Sequence, residues 1–465
     1  MARQRSARTS HYRWTELGLF FIPFLILLLE ATQLLIVANA DPHASFSAKT
    51  LPAVQGLFPI IGLIAALLGM NVLFSFFFKK ADQMLLPLVG LLSGIGVLMA
   101  TRLGPDVNIP NLGSRQLLWV FIGLVICVGT IFALRDLSWL ARYKYTSLAL
   151  AIVLVSFTLV NSLHVNLNSP THDQLNLGPI AFQPSELLKI CIVIFFAAYL
   201  SENSVAVAKG NLRIGPFSLP PIKQLGPMLL MLGLALLLFL GIRELGLALL
   251  IYGIFLSMLY LGSGRLSYVL GGLGLFVVLG FIGYRLLGYV RDRFAVVSFN
   301  ILDWQHWTAA QDNFASNKGL QIVQAIIAIS SGGVLGSGLG LGAPYFIPVS
   351  QSDMVFASMS EELGLAGIFA IIAIYLLIIY RGYRIAIEAT TPFNKLLAAG
   401  LTSIFAIQTL IITAGNMKFL PLTGIPLPFL SYGGSSIFAN FIIIGMLLRI
   451  SYDTAREREG TLSRW

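Results

Sequence analysis

Charge is what this sequence has least of. Only 11% of its 465 residues are Asp, Glu, Lys or Arg, where a soluble protein carries roughly a quarter. With 57% hydrophobic residues and a mean hydropathy of +0.84, no soluble core could hide the apolar surface. Lipid is therefore the solvent for most of the chain. Cysteine is nearly absent: Cys127 and Cys191 stand far apart in apolar runs, which excludes a disulfide framework and a thiolate metal site. The five histidines form no HxxxH or HExxH cluster, so zinc chemistry is not implied. Long polar or low-complexity stretches are also missing, which leaves no soluble domain, repeat array or disordered tail.

What is present is oil in segments. Runs of about twenty apolar residues are spanning-helix candidates. About twelve occur, near 17–38, 55–78, 84–101, 116–134, 146–163, 185–200, 225–241, 245–262, 266–286, 361–380, 396–415 and 433–450. The first follows the basic stretch MARQRSARTSHYRW and is too long and unbroken for a signal-peptide core, so it reads as a retained helix. The net charge of +10 does not point to nucleic acid, because the basic residues fall mainly in short loops and at both ends. With the N-terminus inside, Arg3, Arg5, Lys79, Lys80, Arg135, Arg142, Arg381, Arg384 and Arg449 are cytoplasmic, and loop 164–184 outside has no Lys or Arg. The positive-inside rule thus predicts a multi-pass membrane protein with both termini cytoplasmic.

One external connection, 287–360, is far longer than ordinary loops, which are usually functional beyond about fifteen residues. It holds an apolar patch (LQIVQAIIAI), which predicts an amphipathic or re-entrant helix over 319–330. Its glycine run SSGGVLGSGLGLGAP lacks the phase of a dinucleotide fingerprint and has no GK[ST], so flexible backbone at the membrane interface is the better account.

Four motifs could carry chemistry. In AFQPSELLK, Pro184 suits a first helical turn, and Glu186 and Lys189 share one helix face. They form either a mutual ion pair at the helix mouth or a polar wall for an anionic headgroup. GIRELG places Arg243 and Glu244 in a very short external turn, as punctuation or as a cavity rim. VSQSDMVFASMSEELG brings Asp353, Glu361 and Glu362 to the start of a helix, where carboxylates suit the macrodipole. FLPLTGIPLPFLSYGGSS has three prolines and three glycines, so it is not a regular helix despite being apolar. Broken backbone at membrane depth is tolerated where it is buried in protein or lines a cavity.

Together, QPSELLK, ELGLALL, SDMVFASMSEELG and LPLTGIPLPFLSYGGSS resemble the SEDS family, which includes RodA, FtsW and SpoVE. The resemblance covers residues 84–450, and PLPFLSYGGSS is its most specific element. It implies an all-α polytopic fold: a ten-helix core over 84–450, two additional N-terminal helices within 1–83, and a cytoplasmic tail at 451–465. It also implies a peptidoglycan glycosyltransferase polymerising lipid II, usually beside a class B penicillin-binding protein that cross-links the strands. Membrane lipid is the other partner, and nucleic acid is not one. Matched residue by residue, the motifs imply substrate contacts at Glu186, Lys189, Arg243, Glu244, Gln324, Asp353, Glu361, Ser431 and Ser435.

Such chemistry needs a carboxylate to take a proton from the acceptor sugar hydroxyl. Positive side chains or a divalent cation, Mg or Mn, would offset charge on the lipid pyrophosphate. The family's aspartate lies in the large external loop, and here the matching stretch DWQHWTAAQD departs from the pattern. Alignment from the upstream arginine favours Asp303, and alignment from the downstream GLQIVQ favours Asp312, the stronger match. Elsewhere Glu244 stands where the family has aspartate, and Gln351 where it has histidine. These departures keep two alternatives open, a translocator of lipid-linked precursor and a non-catalytic scaffold of a transpeptidase complex.

Overall fold

The computed structural model describes residues 12–40, 58–109, 111–164, 175–177, 180–209, 212–214, 217–219, 226, 229, 233 and 244–462. Helices dominate: α1 (Trp14–Ala40), α2 (Phe58–Phe77), α3 (Leu85–Leu103), α4 (Leu112–Ala133), α5 (Ser138–Arg142), α6 (Lys144–His164) and α7 (Pro184–Lys209). They continue with α8 (Leu245–Ser263), α9 (Leu266–Leu286), α10 (Gly288–Ser298), α11 (Ala309–Ser316), α12 (Leu320–Gly332), α13 (Val355–Glu388), α14 (Pro392–Asn416) and α15 (Gly434–Leu462). The exceptions are two tiny antiparallel hairpins, Leu175–Leu177 with Ile180–Phe182 and Leu212–Ile214 with Phe217–Leu219.

Among the described residues, ten helices are long and apolar enough to cross a membrane. The expected span at 146–163 is helical as α6, but its described apolar stretch is shorter. The expected span at 225–241 lies outside the described residues except for 226, 229 and 233, and Arg243 lies outside them too. Helices suit this setting because each satisfies its own backbone groups where no water can. The centre of the bundle is α7, α14 and α8, with α13 against α14 and α15 against α4. Here α3, α7, α14 and α15 are largely buried, whereas α9 is almost wholly exposed to the surroundings.

The two ends differ in chemistry. At one end basic side chains are pinned to backbone and acids: Arg449 donates to Arg135 O at 2.6 Å, Arg381 pairs with Asp82, and Lys80 pairs with Glu459. At the other, the loop end, residues 287–354 fold over the bundle. The helix predicted over 319–330 is present as α12, packed against α13.

α13 begins at Val355, earlier than hydropathy predicts, and is two helices joined at Gly364 (φ 65°, ψ −173°). The break has a partner. Glu361 O and Glu362 O accept from Ser337 N and Gly338 N at 3.0 Å, and Leu365 N and Ala366 N donate to Gly333 O and Val334 O at 3.0 Å. The glycine run is thus an ordered clasp across the break, not the loose backbone that its composition predicts. Approach this close requires glycine: a Cβ on Gly364 would lie 2.2 Å from Gly336 N.

Candidate functional site

The broken segment 417–433 is the hub of the loop end. Positive φ at Lys418, Gly424 and Phe429 turns it repeatedly, and Leu427, Phe429 and Leu430 are buried. Buried backbone carbonyls must find donors, and polar side chains from neighbouring helices supply them. Gln408 Nε2 donates to Pro426 O at 2.7 Å, Tyr375 OH to Pro428 O, and Gln116 Nε2 to Ser431 O at 3.2 Å. Tyr432 N donates to Gln351 O at 2.9 Å. Gly96 of α3 lets the segment pass, since a Cβ there would lie 2.5 Å from Phe429 O.

Glu186 and Lys189 open α7 beside this segment. Lys189 Nζ lies 2.7 Å from Glu186 Oε2 and 2.9 Å from Gln408 Oε1, so a buried ion pair continues through an amide to Pro426. Ser435 Oγ accepts from Gln183 N at 2.9 Å. The Ser431 hydroxyl is committed inside the protein, accepting from Leu427 N at 2.7 Å and donating to Ser352 O. Glu244 is half-buried at the start of α8, next to Gly246, which abuts Thr423 O.

Asp353 sits at a crevice with Asn416, Leu422, Thr423 and Gly424, with space for about one water molecule. Burial pushes its carboxyl above the usual carboxylate range, opposed by hydrogen bonds from Ser352 and the backbone and by the charge of Arg293. Asn416 Nδ2 donates to Asp353 O at 3.0 Å.

The stretch DWQHWTAAQD belongs to a folded roof. Phe299, Trp307 and Phe314 pack together over Val296, Ala315, Ile322 and Val323, with Leu422 of the broken segment against them. Arg293 donates to Leu422 O and Lys418 to Phe299 O, stitching roof to segment. Asp303 leads a 3-10 turn (Trp304–His306), with Oδ1 2.8 Å from His306 Nδ1, and is exposed. Asp312 lies in the first turn of α11, which is started by a Thr308–Gln311 capping box. It too is exposed, and its carboxylate has no partner among the described residues. Gln324 is half-buried on α12.

Beneath the clasp, Glu361 and Glu362 join an arginine that no sequence motif singles out. Arg102 on α3 is fully buried, 2.9 Å from Glu362 Oε1 and 2.6 Å from Asp106 Oδ2, and donates to Gly342 O at 3.0 Å. Glu361 Oε1 accepts from Ala343 N at 2.9 Å, and its Oε2 is buried without a protein partner. The one local signal is an arginine at the end of an apolar run with an acid four residues on. Among the described residues no three His, Cys, Asp or Glu side chains gather to hold a metal ion. Within those residues the donors do not fit a metal centre built by the protein alone.

A bundle of spanning helices, a broken apolar segment and a folded roof bearing exposed carboxylates together define a multi-pass membrane protein with its polar site at one membrane face. The family model described as "Cell cycle protein", covering FtsW, RodA and SpoVE, matches residues 82–456. The chain belongs to this family. It is 35% identical over 388 residues to the peptidoglycan glycosyltransferase RodA of Mycobacterium leprae, covering 81% of this chain and 79% of that one. It is 29% identical over 379 residues to the stage V sporulation protein E of Bacillus subtilis, covering 80% and 96%. Among solved structures, a chain from a peptidoglycan synthase complex that coordinates polymerization and crosslinking matches with a TM-score of 0.61 at 21% identity, over 80% of this chain and 98% of that one. Thermus thermophilus RodA matches with a TM-score of 0.55, also at 21% identity, over 80% and 97%. These two likenesses concern the fold.

Proposed function

We propose that this chain is a peptidoglycan glycosyltransferase that polymerises lipid II in a bacterial plasma membrane, beside a class B penicillin-binding protein. The observation that carries the reading is the 35% identity to a glycosyltransferase RodA over 81% of the chain. The charge pattern supports cytoplasmic termini, which puts the loop end outside.

In the reaction, the acceptor sugar hydroxyl attacks C1 of the donor as the C1–O bond to the lipid pyrophosphate breaks. The hydroxyl proton goes to a carboxylate, and the departing pyrophosphate takes the developing charge. Asp312 is our choice of base, with Asp303 as the alternative. Asp312 presents an unpaired carboxylate from a capped helix, whereas one oxygen of Asp303 is occupied by His306. Lys189, Arg243 and Glu244 remain candidates for the headgroup, as do Glu186 and Ser435. Asp353, Glu361 and Gln324 are further candidates for substrate contact, and Ser431 acts by holding the broken segment.

The test is polymerisation of labelled lipid II by the purified chain with a class B partner, repeated with Asp312→Asn and Asp303→Asn. Loss of the base should lower the rate by about 10²–10⁴-fold. Wild-type polymer yield from both variants would remove the roof aspartates from the mechanism. Flipping of lipid II in vesicles without any polymer would instead make the chain a translocator.

A further inference from the structure

α1 and α2 precede the region matched by the family, yet α1 reaches the glycine clasp that lies over the Arg102–Glu362 cluster. Its base is anchored to the core. Arg13 pairs with Glu16 and donates to Phe78 O at 2.9 Å and Asp82 O at 2.7 Å. Asn71 of α2 donates to Glu16 at 3.1 Å, and Asp82 is itself paired with Arg381 of α13. Along its length α1 packs closely on α3, with Leu27 filling the space where a Gly94 side chain would stand.

From Trp14 to Val37, at 1.5 Å per residue, the rise is about 35 Å. At that height α1 meets the clasp. A Cβ on Gly340 would lie 3.3 Å from Leu34 Cδ1 and 3.3 Å from Val37 Cγ1, and one on Gly338 would lie 3.5 Å from Gln33 Nε2. The amides of these two glycines are those that hold Glu362: Gly338 N donates to its carbonyl at 3.0 Å and Gly340 N to its Oε2 at 3.2 Å. Three residues on, Ala343 N holds Glu361.

We infer that α1 is a positioning strut, whose last turns seat the glycine clasp so that Glu361 and Glu362 are held in place beside Arg102. The clasp has positive φ at Gly333, Gly336, Gly338 and Gly340, conformations that cost glycine much freedom to adopt. An anchored apolar tip restricts that freedom and keeps water from the Gly340–Glu362 hydrogen bond. The effect on the clasp follows from this geometry, and the effect on rate rests on the glycosyltransferase reading.

The test shortens the tip in the full chain, reconstituted in lipid nanodiscs with its class B partner. Leu34→Ala with Val37→Ala is compared with Leu29→Ala with Ile36→Ala, whose side chains are 60% and 66% exposed on the same helix. The tip pair should raise amide exchange over 333–343 by about tenfold. It should also lower kcat for lipid II by about tenfold with KM little changed. The control pair should match wild type in both. Rescue uses Val37→Cys with Gly340→Cys, because the Gly340 Cβ position lies 3.6 Å from Val37 Cβ, within disulfide reach. The other two thiols, Cys127 and Cys191, are buried. Oxidised and reduced forms of that one variant differ only in the link, so strain at Gly340 cancels, and oxidation should slow exchange over 333–343. Unchanged exchange in the tip pair, or an equal effect of the control pair, overturns the strut. A wild type that makes no glycan overturns the glycosyltransferase reading, and exchange alone then decides whether the clasp is seated by α1.

Discussion

Lys189→Met separates the two meanings that the α7 ion pair can have. The charges lie 2.7 Å apart, and at an effective dielectric near 20 their gross attraction is roughly 6 kcal/mol. Burial of both residues, 1% and 3% exposed, offsets most of that attraction, since desolvating two ions costs several kcal/mol each. Removing only the lysine leaves Glu186 charged among apolar neighbours, so the single variant should lose about 3–5 kcal/mol. Replacing both, as Glu186→Gln with Lys189→Met, removes the uncompensated charge and should recover most of that loss. The assay is reversible unfolding in bicelles for wild type, both singles and the double, read as a double-mutant cycle. A coupling below about 1 kcal/mol would refute the buried-pair argument. Activity supplies the second answer: a double variant that is stable yet makes no glycan assigns the pair to the substrate, and a stable active one makes the pair structural.

Two further outcomes follow from the loop end. Asp353 has a folded pKa above its unfolded one, so it stabilises the fold most at low pH, and this increment is lost as pH rises through the folded value. Thermal unfolding of Asp353→Asn against wild type should therefore show the variant gaining relative stability as pH rises from about 4 to 7, and parallel curves would refute the assignment. Gly364→Ala should destabilise by at least about 2 kcal/mol, because a left-handed φ and the contact with Gly336 N both oppose a side chain. Unfolding at wild-type denaturant concentration would show that the clasp shifts freely.

Much of the site is legible in the sequence. Proline and glycine spacing in 419–436 announces broken backbone, and Glu186 and Lys189, three apart in an apolar run, announce a shared helix face. The fold brings them together as an ion pair, and Gln408 extends it from a different helix. The Arg102–Glu362 pair joins residues 260 positions apart, and no local pattern reports such a partner. The clasp misleads for a related reason. A glycine run in isolation has only its flexibility to show, and its order comes from carbonyls and amides freed by the break at Gly364.

Hydropathy alone settles that lipid is the solvent, because period and length of apolar runs are properties of consecutive residues. Motif spacing carries the family, and the basic loops carry the proposed orientation. Tertiary structure decides which polar groups meet: Lys189 with Gln408, Arg102 with Glu362, Asp353 with Asn416, and the tip of α1 with the clasp. Each of these contacts closes a long loop, and its existence depends on how helices pack against one another. A buried polar atom takes whatever partner the fold brings within reach, and that choice is made only when the bundle is assembled.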